Sequence, residues 1–279
     1  MLLGTPAEAD GYVHLNRKLT AEIGARIRRA APDVLLLQEV PPGEVARLAR
    51  AAGMRAAWSV RTGPRVGPPG LRAWLGRRNP DLWGSHEGNA NVVMTGPRLT
   101  PVRGAARALR LNPPGMVLRA WRELRLDADE AEKWAREPRV AVAARVRLPD
   151  GTPLTAVCVH LHNARVPGQS TLELARLAGA LAGVAGPVVL GGDLNVRPGH
   201  PGLAALTDAG LLDPAEDPAM GIDRILVRGL RVLAPARRWA EAERDVPVAG
   251  PRGPRLVRLS DHDPVEAVVA AATAVPPAP

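Results

Sequence analysis

Pro187-Val-Val-Leu-Gly-Gly-Asp193-Leu-Asn195-Val-Arg-Pro198 is the stretch on which the reading of this 279-residue chain turns. A short apolar run ending in a glycine pair predicts a buried strand whose end approaches a ligand closely. Asp193 and Asn195 stand two residues apart, so in extended backbone both side chains leave on the same side. A carboxylate beside a carboxamide at the end of a buried strand suits orienting a water and donating to a phosphate oxygen. Alone, the tetrapeptide also suits a plain strand-to-loop turn, so the rest of the chain has to decide.

Working outward, other strands end the same way. Asp33-Val-Leu-Leu-Leu-Gln38-Glu39-Val40 is a continuous apolar run closing on a polar pair, the pattern of a strand buried on both faces. Gly88-Asn89-Ala90-Asn91-Val-Val-Met reads as another buried strand. Val140 to Leu148 alternates, Pro149-Asp150-Gly151 turns, and Leu154 to His160 returns, which predicts a hairpin. Ile222 to Val227 is a further apolar strand containing Asp223, and Ser260-Asp261-His262-Asp263-Pro264 leads into the last one, Val265 to Val269. Helices are expected at Leu19, Ile23 and Ile27, at Val45, Leu48, Ala49 and Ala52, and after a capping box at Ser170-Thr-Leu-Glu173. Residues 61–89, rich in Gly, Pro and Arg, read as a long surface loop.

Composition limits the function classes. Net charge is +9, with lysine only at Lys18 and Lys133, which favours polyanionic partners but also fits an arginine-rich proteome. Cys158 is the only cysteine, so an internal disulfide framework and a cysteine zinc cluster are both excluded. The sequence contains no membrane-length apolar stretch and its first residues lack the pattern of a signal peptide, so a cytoplasmic, monomeric protein is expected. Glu39, His160, Asp193, Asn195, Asp223, Asp261 and His262 all fall at or near strand ends. Carboxylates there cost several kcal/mol to bury unpaired, so they imply a metal, a cationic partner or an open cleft. Each has a plainer use singly: Glu39 as an arginine partner, His160 as a satisfied histidine, Asp261-His262 as a turn. Together they point to one convergent site.

These residues resemble the endonuclease/exonuclease/phosphatase superfamily, the deoxyribonuclease-I-like metal-dependent phosphoesterases. Asp33 to Val40 is similar to that family's "D-hydrophobic-LQE" strand, Gly88-Asn89-Ala90 to "GNA", and Val159-His160-Leu161 to "THL" without its threonine. Gln169 also matches, as do Gly192-Asp193-Leu194-Asn195, Ile222-Asp223-Arg224-Ile225 and Ser260-Asp261-His262. The resemblance spans residues 16 to 270. It implies a four-layered α/β sandwich of two face-to-face β-sheets with helices outside, as one domain over 1–271 followed by a tail at 272–279. It also implies that Glu39 and Asp261 hold Mg2+ or Mn2+, both offering hard oxygen ligands. Asp193 would deprotonate the attacking water, Asn195 would bond the phosphoryl group, His160 would donate to a non-bridging oxygen, and His262, fixed by Asp223, would contact the phosphate or relay a proton.

One departure concerns the beginning. The family opens with a strand ending in an asparagine at the metal site, whereas here only about ten residues precede Tyr12 and the first asparagine is Asn16, read as part of the first helix. The expectation is a longer reading frame or, failing that, a gapped sheet. The arginine-rich segments at 61–78 and 98–125, with Arg252, Arg255 and Arg258, favour nucleic acid as substrate, with base stacking left to Trp58, Trp74 or Trp83. The alternatives are a phosphatase of a small phosphorylated molecule or lipid headgroup, and a non-catalytic binding descendant of the fold. A calcineurin-like metallophosphatase does not fit Gly88-Asn-Ala-Asn91.

Overall fold

The computed structural model describes residues 5–6, 18–62, 67–78, 88–215, 221–250 and 253–272. In chain order these form β1 (Thr5–Pro6), α1 (Thr20–Ala30), β2 (Val34–Val40), α2 (Val45–Ala52), β3 (Arg55–Thr62), α3 (Pro69–Arg78), β4 (Asn89–Thr95), β5 (Thr100–Pro101) and β6 (Arg107–Arg110). Then come α4 (Pro114–Glu123), α5 (Ala128–Arg136), β7 (Val140–Arg147), β8 (Pro153–His160), α6 (Pro167–Ala182), β9 (Val188–Asp193), α7 (Leu203–Asp208) and β10 (Asp223–Arg228). The remaining elements are β11 (Leu230–Arg238), α8 (Glu241–Arg244), β12 (Asp245–Gly250), β13 (Gly253–Arg258) and β14 (Val265–Ala271).

Four layers follow from where the apolar faces go. The largest sheet has the order β10-β9-β8-β7-β5, with β6 also on β7. On its outer face Leu174, Leu177 and Leu181 of α6 pack with Val157, Val159, Val188, Leu190 and Leu226. Its inner face presents Val140, Val142, Ala144, Ala156 and Cys158 to Val93, Val34 and Leu36 of the opposite sheet. That sheet, ordered β2-β4-β3, carries Val45, Leu48, Ala49 and Ala52 of α2 and Ile27 of α1 on its outer side. The order is therefore helix, sheet, sheet, helix, as the family resemblance implies. Asn91 crosses between the sheets, its Nδ2 donating to the Val140 carbonyl at 2.6 Å.

The second layer of strands is divided. Among the described residues β2 pairs only with β4, and β14 pairs only with β11 in a separate two-stranded ribbon. Val34 and Leu36 of β2 and Val269 of β14 nevertheless lean on one cluster around Val146, Leu154, Val189 and Val227. Strand β2 is half-buried from Val34 to Glu39, although its Val-Leu-Leu-Leu run is as apolar as a fully buried strand's. Tyr12 and Asn16 lie outside the described residues.

Two local expectations are corrected. Residues 61–89 are not one loop, because β3 reaches Thr62 and α3 occupies 69–78. The helix after β8 opens at Pro167, not at Ser170. Pro167 is pre-set for a first helical position, and Gln169 caps the start, its Oε1 accepting from Val166 N at 3.4 Å. Glu173, the supposed capping acid, is fully buried and bonds elsewhere.

Candidate active site

Three neighbouring strands of the large sheet end together. His160 stands opposite Asp193 across the parallel β8/β9 pair, and Asp223 stands opposite Asp193 across the antiparallel β9/β10 pair. Asp193 thus has a histidine on one side and a carboxylate on the other. His160 Nε2 lies 3.3 Å from Asp193 Oδ2, and both side chains are about nine-tenths buried. Burial is the main cause that pushes Asp193 up to about 6, with the Asp223 charge adding to it. The Asn195 amide, His262 and Arg139 pull it down. A carboxylate with this affinity is poised to take a proton near neutral pH.

The Gly191-Gly192 pair serves packing, not ligand approach. A Cβ on Gly191 would sit 2.8 Å from Leu36 Cδ1, and one on Gly192 would sit 2.0 Å from the Val159 carbonyl and 2.8 Å from Gln38 Nε2. Strand β9 is pressed between β8 and the facing sheet just before Asp193, and only glycine leaves room. Gln38 in turn donates from Nε2 to Cys158 Sγ at 3.2 Å, tying β2 to β8.

Asn195 reaches Asp193 by a turn, because the strand stops at Asp193. Asn195 is left-handed (φ 49°), and Asp193 Oδ1 accepts from Asn195 N at 2.8 Å, the i to i+2 bond of an Asx turn. Asn195 Nδ2 donates to the Leu161 carbonyl at 3.0 Å and to Asp193 Oδ2 at 3.1 Å. The carboxamide therefore holds the carboxylate, and donation to a phosphoryl oxygen requires giving up one of these bonds.

His262 arrives from the turn between β13 and β14. Its amide donates to Ser260 Oγ at 3.1 Å, and its Nδ1 donates to Asp223 Oδ2 at 2.7 Å. The Asp223 hydrogen bond is the largest cause raising His262 to about 9, followed, against the opposing effect of burial, by the charges of Asp223, Asp193 and Asp261. The ring is then an imidazolium at neutral pH, so Asp223 fixes its orientation and charge and does not select a tautomer.

Glu39 sits where β2 slips register against β4, between Leu37 and Val40, and its φ is 58°. A non-glycine residue there costs about 1–3 kcal/mol, a strain that gathers at functional positions. Asp261 is exposed in the turn just before His262. Among the described residues no three His, Cys, Asp or Glu side chains gather closely enough to hold an ion. The donor set still fits Mg2+, which takes one or two carboxylates and fills its shell with water and substrate oxygens.

Sequence reasoning missed a second polar cluster beneath these residues. Glu130, Arg139, His162 and Glu173 are all at most 4% exposed. The available signal was His162, two residues beyond His160, and the Asp127 cap of α5, whose Oδ1 accepts from Glu130 N. Also unread were α4 and α5 themselves.

Residues 11–262 match the Endonuclease/Exonuclease/phosphatase family. An endonuclease/exonuclease/phosphatase family protein of Bacteroides thetaiotaomicron aligns with a TM-score of 0.64 at 14% identity, over 91% of this chain and 89% of that one. A mannosyl-6-phosphatase of the same organism gives 0.63 at 15%, over 90% of each chain. The human nocturnin catalytic domain gives 0.50 at 16%, over 76% of each. Comparison with curated protein sequences finds no match. No helix among the described residues is long and apolar enough to cross a membrane. Matched over most of its length and folded as a sandwich of the same kind, the chain belongs to the Endonuclease/Exonuclease/phosphatase family of hydrolytic phosphoesterases.

Proposed function

We propose that this chain is a divalent-metal-dependent phosphodiesterase acting on nucleic acid, with Asp193 as the base. The observation that carries the reading is the pairing of a buried, proton-hungry Asp193 with an imidazolium His262 across Asp223. Asp193 takes a proton from water as its oxygen attacks phosphorus, and the P–O bond to the leaving group breaks. His160, buried beside Asp193, donates to a non-bridging oxygen, and His262 supplies positive charge or a proton to the phosphoryl group. Glu39 and Asp261 would hold Mg2+ or Mn2+, which supplies charge neutralisation at the phosphoryl oxygens.

Exposed cations support a polyanionic substrate. Arg103, Arg119, Arg122 and Arg125 are exposed, whereas Arg98 is engaged by Asp33 at 2.7 Å. Trp74 on α3 is 48% exposed with the Arg78 guanidinium 5.6 Å from its ring centroid, and Trp58 is also exposed, so both offer faces for stacking. Trp83 lies outside the described residues. A second reading, a phosphatase of a small phosphorylated molecule, is favoured by the fold shared with the mannosyl-6-phosphatase.

The test offers DNA, RNA, bis(p-nitrophenyl) phosphate and mannose 6-phosphate with Mg2+ or Mn2+, then with excess chelator. Cleavage of polynucleotide and diester that chelator abolishes and cation restores is expected, with polynucleotide affinity falling log-linearly with salt. Replacing Arg72, Arg77 and Arg78 with alanine should flatten that slope while leaving the small diester hydrolysed. Activity that survives chelation sinks the metal assignment, and turnover of mannose 6-phosphate alone establishes the second reading.

A further inference from the structure

Below the site lies a group of buried ionisable side chains that the proposed chemistry does not use. His162 is completely buried. Its Nε2 is 3.0 Å from Glu130 Oε1 and its Nδ1 is 3.1 Å from Arg139 Nη2. Arginine can only donate, so Nδ1 must accept and the ring proton must sit on Nε2, donating to Glu130. The imidazole is therefore neutral and fixed in one tautomer. Burial, with the Arg139 charge, holds its pKa below the ordinary histidine value in spite of Glu130.

The surroundings lock it further. Arg139 Nη2 also donates to Glu137 Oε2 at 2.5 Å, and Arg139 N donates to Asn112 Oδ1 at 2.7 Å. Trp134 stacks on the imidazole at 6.3 Å between centroids, and its Nε1 donates to Glu173 Oε1 at 2.6 Å. The other Glu173 oxygen accepts from His162 N at 2.9 Å. Such a cluster is poor as a stabiliser, because buried ion pairs are commonly no better than apolar side chains of the same volume. Its value has to be sought in what it holds in place.

What it holds is the Leu161–His162 backbone. Leu161 N donates to the Asp193 carbonyl at 2.9 Å, and the Leu161 carbonyl accepts from Asn195 Nδ2 at 3.0 Å. The same Nδ2 bonds the carboxylate that the reaction uses. His160, its neighbour on the other side, approaches that carboxylate too. Clamping residue 162 thus sets residues 160 and 161, and through them both groups that aim Asp193.

We propose that His162, held between Arg139 and Glu130, is a positioning residue that aims the Asp193 carboxylate through the Leu161 carbonyl and the Asn195 carboxamide. The inference rests on the proposed phosphodiesterase reading for its kinetic part, not for its geometric part. His162 touches no reacting atom and acts through Asn195.

The experiment is a cycle of His162→Phe, Asn195→Ala and the double variant on the full chain. His162→Phe keeps the ring on Trp134 but removes both hydrogen bonds, and His162→Gln can restore an acceptor for Arg139 and a donor for Glu130. With bis(p-nitrophenyl) phosphate and Mg2+, His162→Phe should lower kcat about tenfold to a hundredfold with KM little changed. His162→Gln should recover most of that loss. In the Asn195→Ala background His162→Phe should cost much less than it does in the parent, since the Asn195 path is gone and only the His160 contact remains. Should His162→Phe not fold, Glu130→Gln, which keeps the acceptor and drops the charge, takes its place in the same cycle. A variant that melts lower yet turns over normally when folded, or losses that multiply in the double variant, would overturn the proposal. A second readout needs no turnover: the Asn195 side-chain amide protons, followed by NMR, should exchange slowly in the parent and much faster in His162→Phe. Equal exchange overturns the proposal even in an inactive protein, whereas a parent inactive on every diester with the exchange difference intact refutes only the phosphodiesterase reading.

Discussion

The two strand layers of this molecule are built from equally apolar sequence and end up in different states. In the large sheet β9 lies between β8 and β10, and Val188, Val189 and Leu190 are buried. In the divided layer β2 carries Val34, Leu35, Leu36 and Leu37 and is half-buried, and among the described residues it is bonded to β4 alone. Burial of a strand is thus decided by its neighbours as much as by its own side chains. The proposed site straddles this difference. His160, Asp193, Asn195 and Asp223 come from the continuous sheet or its edge loop, whereas Glu39 and the Asp261-His262 turn come from the divided layer.

The strongest way to break the comparison is to remove the proposed base, Asp193, that the continuous sheet positions. Asp193→Asn keeps the size and the turn but cannot take a proton near neutral pH. A loss of about a thousandfold in kcat is expected, within the range that a positioned acid–base group supplies. The parent should lose activity as pH falls through about 6, where Asp193 takes up its proton. Comparable kcat in the variant would mean that another group is the base.

Next in size is the pair that joins the layers. Asp223→Asn and His262→Ala should each cost about a hundredfold, and the double variant little more, since groups that act as a unit do not add. The Asp223 hydrogen bond raises His262 to about 9, so the parent should lose activity above that pH. Asp223→Asn removes the charge that sustains the imidazolium, so the alkaline limb should move to lower pH. Losses that multiply, with an unmoved limb and a lower melting temperature, would reduce Asp223 to a packing role.

The smallest effect sharpens the comparison itself. Backbone amides of β9 should resist hydrogen exchange throughout, while in β2 those pointing away from β4 should exchange markedly faster than those bonded to it. Uniform protection of Val34–Val40 would show that a further strand covers that edge and that the layer is whole.

What was legible in the sequence followed from continuity. Uninterrupted runs such as Val188-Val-Leu and Val34-Leu-Leu-Leu announced strands, and the polar residues at their ends announced a site. Helix α3 gave no such signal because Pro, Gly and Arg fill six of its ten positions, and its Leu71 and Trp74 stay exposed. The Ser170-Glu173 capping box misled for the opposite reason: Glu173 is an acid at the right spacing whose partners, Trp134 and His162, come from other elements. Glu130, Arg139 and His162 form no motif in the sequence, and only folding brings residues 32 and 23 positions apart in the chain into hydrogen-bond distance. The role of Gly192 was misassigned because the atoms nearest it, the Val159 carbonyl and Gln38, become neighbours only when two sheets stack.

Cys158 lies within that stacking. Its Sγ accepts from Gln38 Nε2 and donates to the Leu37 carbonyl, each at 3.2 Å, so the chain's one thiol sits at the seam between the layers. Burial pushes the thiol up to about 12, and no thiolate is presented to an alkylating reagent while the seam is closed. Modification then has to wait for the layers to part. The rate at which excess reagent labels the native protein becomes a clock for that parting, read from a reporter that needs no engineering and no dye.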